Sequence, residues 1–454
     1  MVMGSLPEEI DVAVIGGGVG GYVAAIRAAE LGKSVTIVER DKLGGHCLNY
    51  ACIPSKTLIH ISDLLYSATH SSDMGISGSL NIDAKKMHDW RIGVSQKLEK
   101  GVESLCRSNS IEIVKGEATF LNSNTLQLTN GTSLDFKKAI IATGSVPSEL
   151  KGFGFNGSSI IDYKQALSLD YIPKSIAIIG AGYVSVEIAG MFAKLGSQVH
   201  VIARSGILSK FDPDATVLIK RKLEALGVRI YAGVTPEQYD GNGLRLSDGT
   251  SMEAEIVVVA VGLVPYTKGL ELENTKVKTD DRGFIVVDGL LQTTDSSILA
   301  IGDVVGEPML AHKAIRQGVV AGERAAGLSS GFDNIVIPAV IFSDPEVALA
   351  GTLNAKNVKK FPMSAVGRAI ALDRKEGFVK IAYDDDNIVK GVEIVGQDAN
   401  AMIAEAALAI EMGATLEDIA DTIHPHPTFS EAVQEAAEAA LGRPLHFYYG
   451  KGVT

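Results

Sequence analysis

Two stretches of the chain order their apolar and polar residues in the same way. Val12 to Arg40 reads VAVIGGGVGGYVAAIRAAELGKSVTIVER, and Ile176 to Arg204 reads IAIIGAGYVSVEIAGMFAKLGSQVHVIAR. They align without a gap. Each opens with a short aliphatic run of strand length, then passes a cluster of glycines. Apolar residues at helical spacing follow, up to a stop at Gly32 or Gly196, and a second aliphatic run closes the segment. The pattern predicts strand, glycine turn, helix, strand: one βαβ unit used twice. Beyond residue 335 the pattern changes. Apolar runs at Gly377 to Tyr383 and Ile388 to Val395 precede an alanine-rich helical stretch, Ala399 to Met412. These predict an antiparallel sheet with helices on one side. The fold class expected is α/β: two Rossmann-like dinucleotide-binding domains plus a C-terminal α+β interface domain.

The two glycine turns carry chemistry. The first holds Gly16, Gly18 and Gly21; the second holds Gly180 and Gly182, with the small Ser185 third. In a dinucleotide turn the first glycine permits the bend and the second lets a pyrophosphate approach the backbone. The third lets helix pack on strand. The helix N-terminus then offers free N–H groups to the phosphates. A lone glycine turn is a weak signal, but strand, turn, helix and strand all recur twice here. Two such sites imply two cofactors exchanging electrons. Glu39 closes the first unit about 20 residues after its turn, where a carboxylate accepts ribose hydroxyls. The second unit has Ala203 there, followed by Arg204 and, nearby, Lys210. An arginine can grip a phosphate bidentately. If the dinucleotide at this second turn carries a nicotinamide, it is expected to be NADP, accepted alongside or preferred over NAD.

At 454 residues the chain is too long for one core, and its net charge of −12 argues against nucleic acid. Its longest apolar run, Ile256 to Pro265, is too short to span a membrane, and the N-terminus does not read as a signal peptide. The compartment expected is cytoplasmic. There are three cysteines. Cys106 stands alone and reads as a small buried apolar residue. Cys47 and Cys52 stand five apart in LGGHCLNYACIPSK. On a regular helix that spacing puts them on different faces, so a bridge requires a distorted turn. Structural zinc would need further ligands nearby. Redox chemistry is the better reading.

The motif GGHCLNYACIPSK resembles that of the pyridine nucleotide–disulfide oxidoreductases of the glutathione reductase type. So do ATG at 142–144, AIGDVVGEPMLAHKA from Ala300, IPAVIFSDPEVA from Ile337 and HPHPTFSE from His424. The likeness covers essentially the whole chain, and CIPSK fits the lipoamide branch best. It implies that Cys47 meets the substrate and Cys52 lies beside the flavin. Lys56 would pair with Glu187, and His426, held by Glu431, would be the acid–base. FAD would be bound by Gly16, Gly18, Gly21, Glu39, Lys56, Thr143, Gly144, Asp303 and Ala311. The nicotinamide would be bound by Gly180, Gly182, Tyr183, Glu187, Arg204, Lys210 and Gly262, with Tyr183 either a lid or a packed aromatic. The reaction implied is oxidation of a free or carrier-bound dihydrolipoyl group by a homodimer whose subunits share each active site. The organisation expected is an FAD domain at 1–145, a nicotinamide domain at 146–265, a segment at 266–334 completing the FAD site, and an interface domain at 335–454. Three features depart from the family: His46 replaces a usual threonine, Tyr50-Ala51 a valine–glycine, and the segment after Gly262 lacks an arginine and asparagine. A glutathione reductase and a mercuric reductase are the alternatives within the family, the latter disfavoured because the tail lacks a cysteine pair. A flavin-binding scaffold or sensor without turnover is the alternative from another class.

Overall fold

The structure is a computed structural model, and residues 8–449 are described. The chain forms two compact units. One comprises the described residues up to Ile172 together with Val258–Asp333; the other comprises Pro173–Val257 together with the residues from Asn334 on.

In the first unit, β1 (Glu8–Ile15), α1 (Val19–Glu30) and β2 (Val35–Glu39) form the predicted βαβ unit. β1 and β2 pair in parallel. The sheet continues through β3 (Glu112–Lys115) on one side and β6 (Ser133–Ile141), β5 (Thr125–Leu128) and β4 (Ala118–Asn122) on the other. A late strand, Ile298–Ala300, returns to pair in parallel with β6. Its return brings the segment around Asp303 back to the first glycine turn. Between β2 and β3 lie α2 (Gly45–Tyr50), α3 (Cys52–Thr69) and α4 (Ala84–Ser108).

A helix at Ala311–Ala325 packs along α1, and glycines make the contact. A Cβ at Gly318 would lie 2.5 Å from the Gly20 carbonyl oxygen, and one at Gly322 would lie 2.6 Å from that of Ala24. Only hydrogen at these positions lets the two backbones approach so closely. Both helices begin without a side-chain cap, so their first N–H groups remain available.

In the second unit, strands Ser175–Ile179, Gln198–Ala203 and Arg229–Ala232 are parallel, with helix Tyr183–Lys194 in the crossover. The five strands Ala339–Ile341, Glu346–Gly351, Val389–Gly396, Phe378–Tyr383 and Asn357–Pro362 follow one another in an antiparallel sheet. Helices Ala399–Met412 and Glu431–Ala440 pack on it, burying Phe361, Ile381, Ile394 and Ala436. The alternating apolar pattern of this region thus forms the expected sheet and helices. No helix among the described residues is long and apolar enough to cross a membrane.

The helix–helix contact gives a first prediction. Gly318→Ala should lower stability by about 1–3 kcal/mol, because the added methyl meets backbone that cannot move aside. Gly93→Ala, in α4 with open space around it, should instead raise stability by up to about 1 kcal/mol through helix propensity. Denaturant midpoints of the two variants should move in opposite directions; equal shifts would contradict the contact.

Candidate active site

Cys47 and Cys52 are bonded to each other, with Cα atoms 4.7 Å apart. A regular helix would separate them by about 7.5 Å along its axis alone. The difference is made at Ala51, whose φ of −130° and ψ of −89° end α2 and let α3 begin again at Cys52. The distorted turn expected from the spacing is therefore a break between two helices.

The disulfide is fixed against the first glycine turn by backbone. The Gly44 N–H donates to the Gly17 carbonyl at 2.8 Å, and Gly44 and Gly18 form an isolated parallel bridge. A Cβ on Gly45 would lie 2.6 Å from the Gly18 Cα. Asn49, buried beneath, donates to the carbonyls of Leu43 and Gly45 at 2.9 and 3.0 Å. The cysteine helix thus starts directly on the dinucleotide turn.

That turn fits a dinucleotide. Gly16 has φ +101°, and a Cβ there would meet the Ala142 carbonyl oxygen at 2.5 Å. A Cβ on Gly21 would lie 1.9 Å from the Gly16 carbonyl oxygen. Around Gly18, in contrast, a Cβ would meet nothing within 4 Å. Two of the glycines serve the fold, and the middle one leaves room for a ligand. Glu39 accepts from the N–H groups of Gly17 and Asp41, each at 2.7 Å, so its carboxylate is fixed with lone pairs to spare. Burial pushes that carboxyl up, against the pull of the two amides. Thr143 donates to the Tyr266 carbonyl at 2.6 Å, and Gly144 accepts from the Tyr266 N–H. Asp303 accepts from the Ser145 hydroxyl at 2.6 Å; burial pushes its carboxyl up, partly offset by Ser145 and Lys313. Ala311 is the first residue of the helix packed on α1. Lys56 lies on α3, and Gly262, also in this unit, has φ +131° and accepts from Ser148 N–H at 3.0 Å.

The second turn repeats the first. Gly180 has φ +125°, Gly182 faces open space, and Ser185 is fully buried in the third place. Tyr183 opens the following helix at 36 % exposure. Glu187 accepts from the Phe342 N–H at 3.0 Å, a partner that the sequence did not reveal. Ala203 ends its strand fully buried. The loop after it folds back, with the Leu208 N–H donating to the Ala181 carbonyl at 2.8 Å. Arg204, Ser205, Ser209 and Lys210 are exposed on this loop. The next acids, Asp212 and Asp214, are held by Lys380 at 2.7 and 2.9 Å.

His426 and Glu431 meet as expected: Nδ1 of His426 lies 2.7 Å from Glu431 Oε1. The other carboxylate oxygen accepts from the Thr428 N–H at 2.8 Å. Burial pushes Glu431 up, but His426 and Thr428 outweigh it and hold the carboxyl below its ordinary value. A carboxylate accepting from Nδ1–H leaves the lone pair of the neutral ring on Nε2, and the ring is 76 % exposed in the single chain. His424 is instead engaged with Glu405 and the Thr422 carbonyl, and His446 with Glu435.

Two glycine turns, a disulfide seated on one of them and an antiparallel C-terminal sheet define a dinucleotide-dependent disulfide oxidoreductase. The chain belongs to the pyridine nucleotide-disulphide oxidoreductases, whose family model matches residues 10–318; the family's dimerisation domain matches 337–437. It is 45 % identical to dihydrolipoyl dehydrogenase of Geobacillus stearothermophilus over 98 % of this chain and 99 % of that one. Its identity to dihydrolipoyl dehydrogenase 2 of Haloarcula marismortui is 42 %, over 98 % of this chain and all of the relative. Among solved structures, LpdA of Mycobacterium tuberculosis superposes with a TM-score of 0.88 at 24 % identity, over 94 % of this chain and 99 % of that one, a likeness of fold.

The disulfide gives the second prediction. Cys106 is buried, and its thiol is pushed up to about 11 by that burial, so it should be inert in the folded protein. Thiol titration of the oxidised protein should count none when native and one when unfolded, rising to three after reduction. Three in the oxidised unfolded protein would contradict the Cys47–Cys52 bond.

Proposed function

We propose that this protein is an FAD-dependent dihydrolipoyl dehydrogenase, moving electrons from a dihydrolipoyl dithiol through Cys47–Cys52 to NAD(P). The observation that carries the reading is the disulfide seated on a dinucleotide turn, in a chain whose relatives of near-equal length carry that name. FAD, when bound, supplies the hydride and electron chemistry that links a dithiol to a nicotinamide. Gly16, Gly18, Gly21, Glu39, Thr143, Gly144, Asp303 and the N-terminus at Ala311 would hold it, with Lys56 close by. Gly180, Gly182, Tyr183, Glu187, Arg204, Lys210 and Gly262 would serve the nicotinamide dinucleotide. Residues 1–145 and 266–334 would make the FAD domain, 146–265 the nicotinamide domain and 335–454 the interface. We place the protein in the cytoplasm on its cysteine usage.

The chain's own chemistry follows from thiol–disulfide exchange. A substrate thiolate attacks Cys47 Sγ, the Cys47–Cys52 bond breaks, and Cys52 leaves as a thiolate. His426 Nε2 takes the proton of the second substrate thiol, which attacks the substrate sulfur joined to Cys47. The cyclic disulfide leaves, and two electrons remain on the cysteine pair. Glu431 holds the imidazole in the accepting tautomer and stabilises its protonated form. His426 would reach the cysteines of the other subunit in a homodimer.

His426→Gln should lower kcat for dihydrolipoamide by about 10²–10⁴ while flavin stays bound, and Glu431→Gln should cost less. Mixing His426→Gln with Cys47→Ser subunits should restore activity, since each mixed dimer holds one complete site. Near-normal turnover in His426→Gln would refute its role, and mixed dimers as inactive as their parents would refute a shared site.

The nicotinamide site should prefer NADP, or accept it. No carboxylate ends the second unit, and the nearest acids are neutralised by Lys380 and Lys360. A charged hydrogen bond is worth about 1.5–3 kcal/mol, so Ala203→Glu should shift kcat/KM toward NAD by about ten- to a hundredfold. A wild type that strongly favours NAD, unchanged by Ala203→Glu, would show that the loop does not read the ribose.

A further inference from the structure

His46 precedes Cys47 and follows the two glycines that abut the first dinucleotide turn. Its ring stacks on Tyr163, with centroids 5.3 Å apart and planes 19° from parallel, and Nε2 is hydrogen-bonded to the Tyr163 hydroxyl. Tyr163 is itself buried and begins a short helix fixed by a capping box between Asp162 and Gln165. On another side, Tyr50 meets the His46 ring edge-on at 6.4 Å and donates to Asp41 at 2.6 Å. The backbone of Ser145 also faces the imidazole, and the Ser145 hydroxyl holds the Asp303 carboxylate. Tyr163, His46, Ser145 and Asp303 therefore lie in succession, with hydrogen bonds at the two ends of the row and the Ser145 backbone beside the imidazole between them. The row joins the peptide before the disulfide to the acid on the returning segment.

We propose that His46 and Tyr163 are a positioning pair that sets the FAD seat by fixing Ser145 and Asp303 relative to the Cys47 helix. The inference rests on the reading of the first turn as the FAD site. A threonine at position 46 is too short to stack on Tyr163 and to bridge from it to Ser145. The pair works with His46 uncharged: the phenol O–H donates to Nε2, and the proton sits on Nδ1. Burial, then the Lys164 charge, push the imidazole down to about 4, while Asp162 and the Ser145 backbone pull the other way. Lys164 and Asp162 face each other at 3.3 Å, so their charges largely cancel at the ring. Asp41 is taken by Tyr50, and Asp303 lies one residue further along the row. When His46 does become charged, both nitrogens are donors, and the phenol must turn over to accept. A group whose folded value is depressed favours the ordered state above its free value of 6.5. That advantage is lost as pH falls toward 4.

The test is FAD release from holoenzyme, followed by flavin fluorescence between pH 4 and 8, for wild type, Tyr163→Phe and His46→Thr. Losing one such hydrogen bond should speed release about fivefold at pH 7 in Tyr163→Phe. Wild type should release FAD faster as pH falls from 6.5 to 4, and His46→Thr should lose that dependence. The thiolate–flavin absorption band of the two-electron-reduced protein should shift in both variants, which a purely structural role would not require. Release rates within twofold of wild type, with the same pH dependence and band, would overturn the pair. Should His46→Thr fail to fold, Tyr163→Phe alone decides. A wild type that purifies without flavin and takes up none would instead refute the FAD reading itself.

Discussion

The close approach of the Gly17–Gly18 backbone to Gly44–Gly45 is the constraint on which the rest of the candidate site depends. A Cβ on Gly45 would overlap the Gly18 Cα, and Gly44 holds a φ of +83°. Residues with side chains at these positions would push α2 away from the turn and carry the disulfide with it. Because the contact is backbone to backbone, it does not depend on rotamers, and it leaves Gly18 open on its other side. One local device therefore places a disulfide and a glycine turn of dinucleotide-binding form side by side. The helix packing of Gly20 on Gly318 extends the same principle, bringing a second uncapped helix N-terminus alongside the first.

Much of this was legible in the sequence because it is local. The two βαβ units and their glycine turns, the strand end at Glu39 and the final sheet each follow from periodicity or short motifs, and the structure forms them as expected. The antiparallel strand Phe378–Tyr383 and the helix Ala399–Met412 fall where the apolar pattern places them. What was not legible depends on contacts between distant segments. Nothing in the spacing of Tyr163 marks it as the partner of His46, which is 117 residues away. Glu187 accepts from Phe342 across 155 residues, and the helix glycines Gly318 and Gly322 read as ordinary helix weakeners until α1 is placed beside them. The departure of His46 from the family pattern was visible; its compensation by a tyrosine was not.

The two dinucleotide turns share a backbone and differ in the charge at the strand end. Glu39 is fixed by two amides, so its carboxylate is prepaid in orientation and repels a phosphate. At the matching place Ala203 is buried and inert, and the basic loop beyond it lies exposed. The acids that follow do not cancel that charge, because Lys380 and Lys360 engage them from the antiparallel sheet. The two units therefore differ in the charge of side chains laid on the same strand–turn–helix–strand frame.

The C-terminal helix Glu431–Ala440 shows how His426 is held in place. Glu431, Glu435 and Glu438 lie on successive turns, and each takes its own cation or imidazole: His426, His446 and Arg443. Glu435 and Glu438 are buried, and buried carboxylates are tolerated only when paired and hydrogen-bonded. Each pairing therefore fixes a loop or tail segment to the helix. Glu431 is the first acid on that helix, where the helix dipole favours negative charge. The same carboxylate orients His426 on one oxygen and anchors the Thr428 backbone on the other. Losing it would release the ring and the loop that carries it together. The position of the imidazole is thus set by the packing of the whole helix, while the ring itself remains exposed.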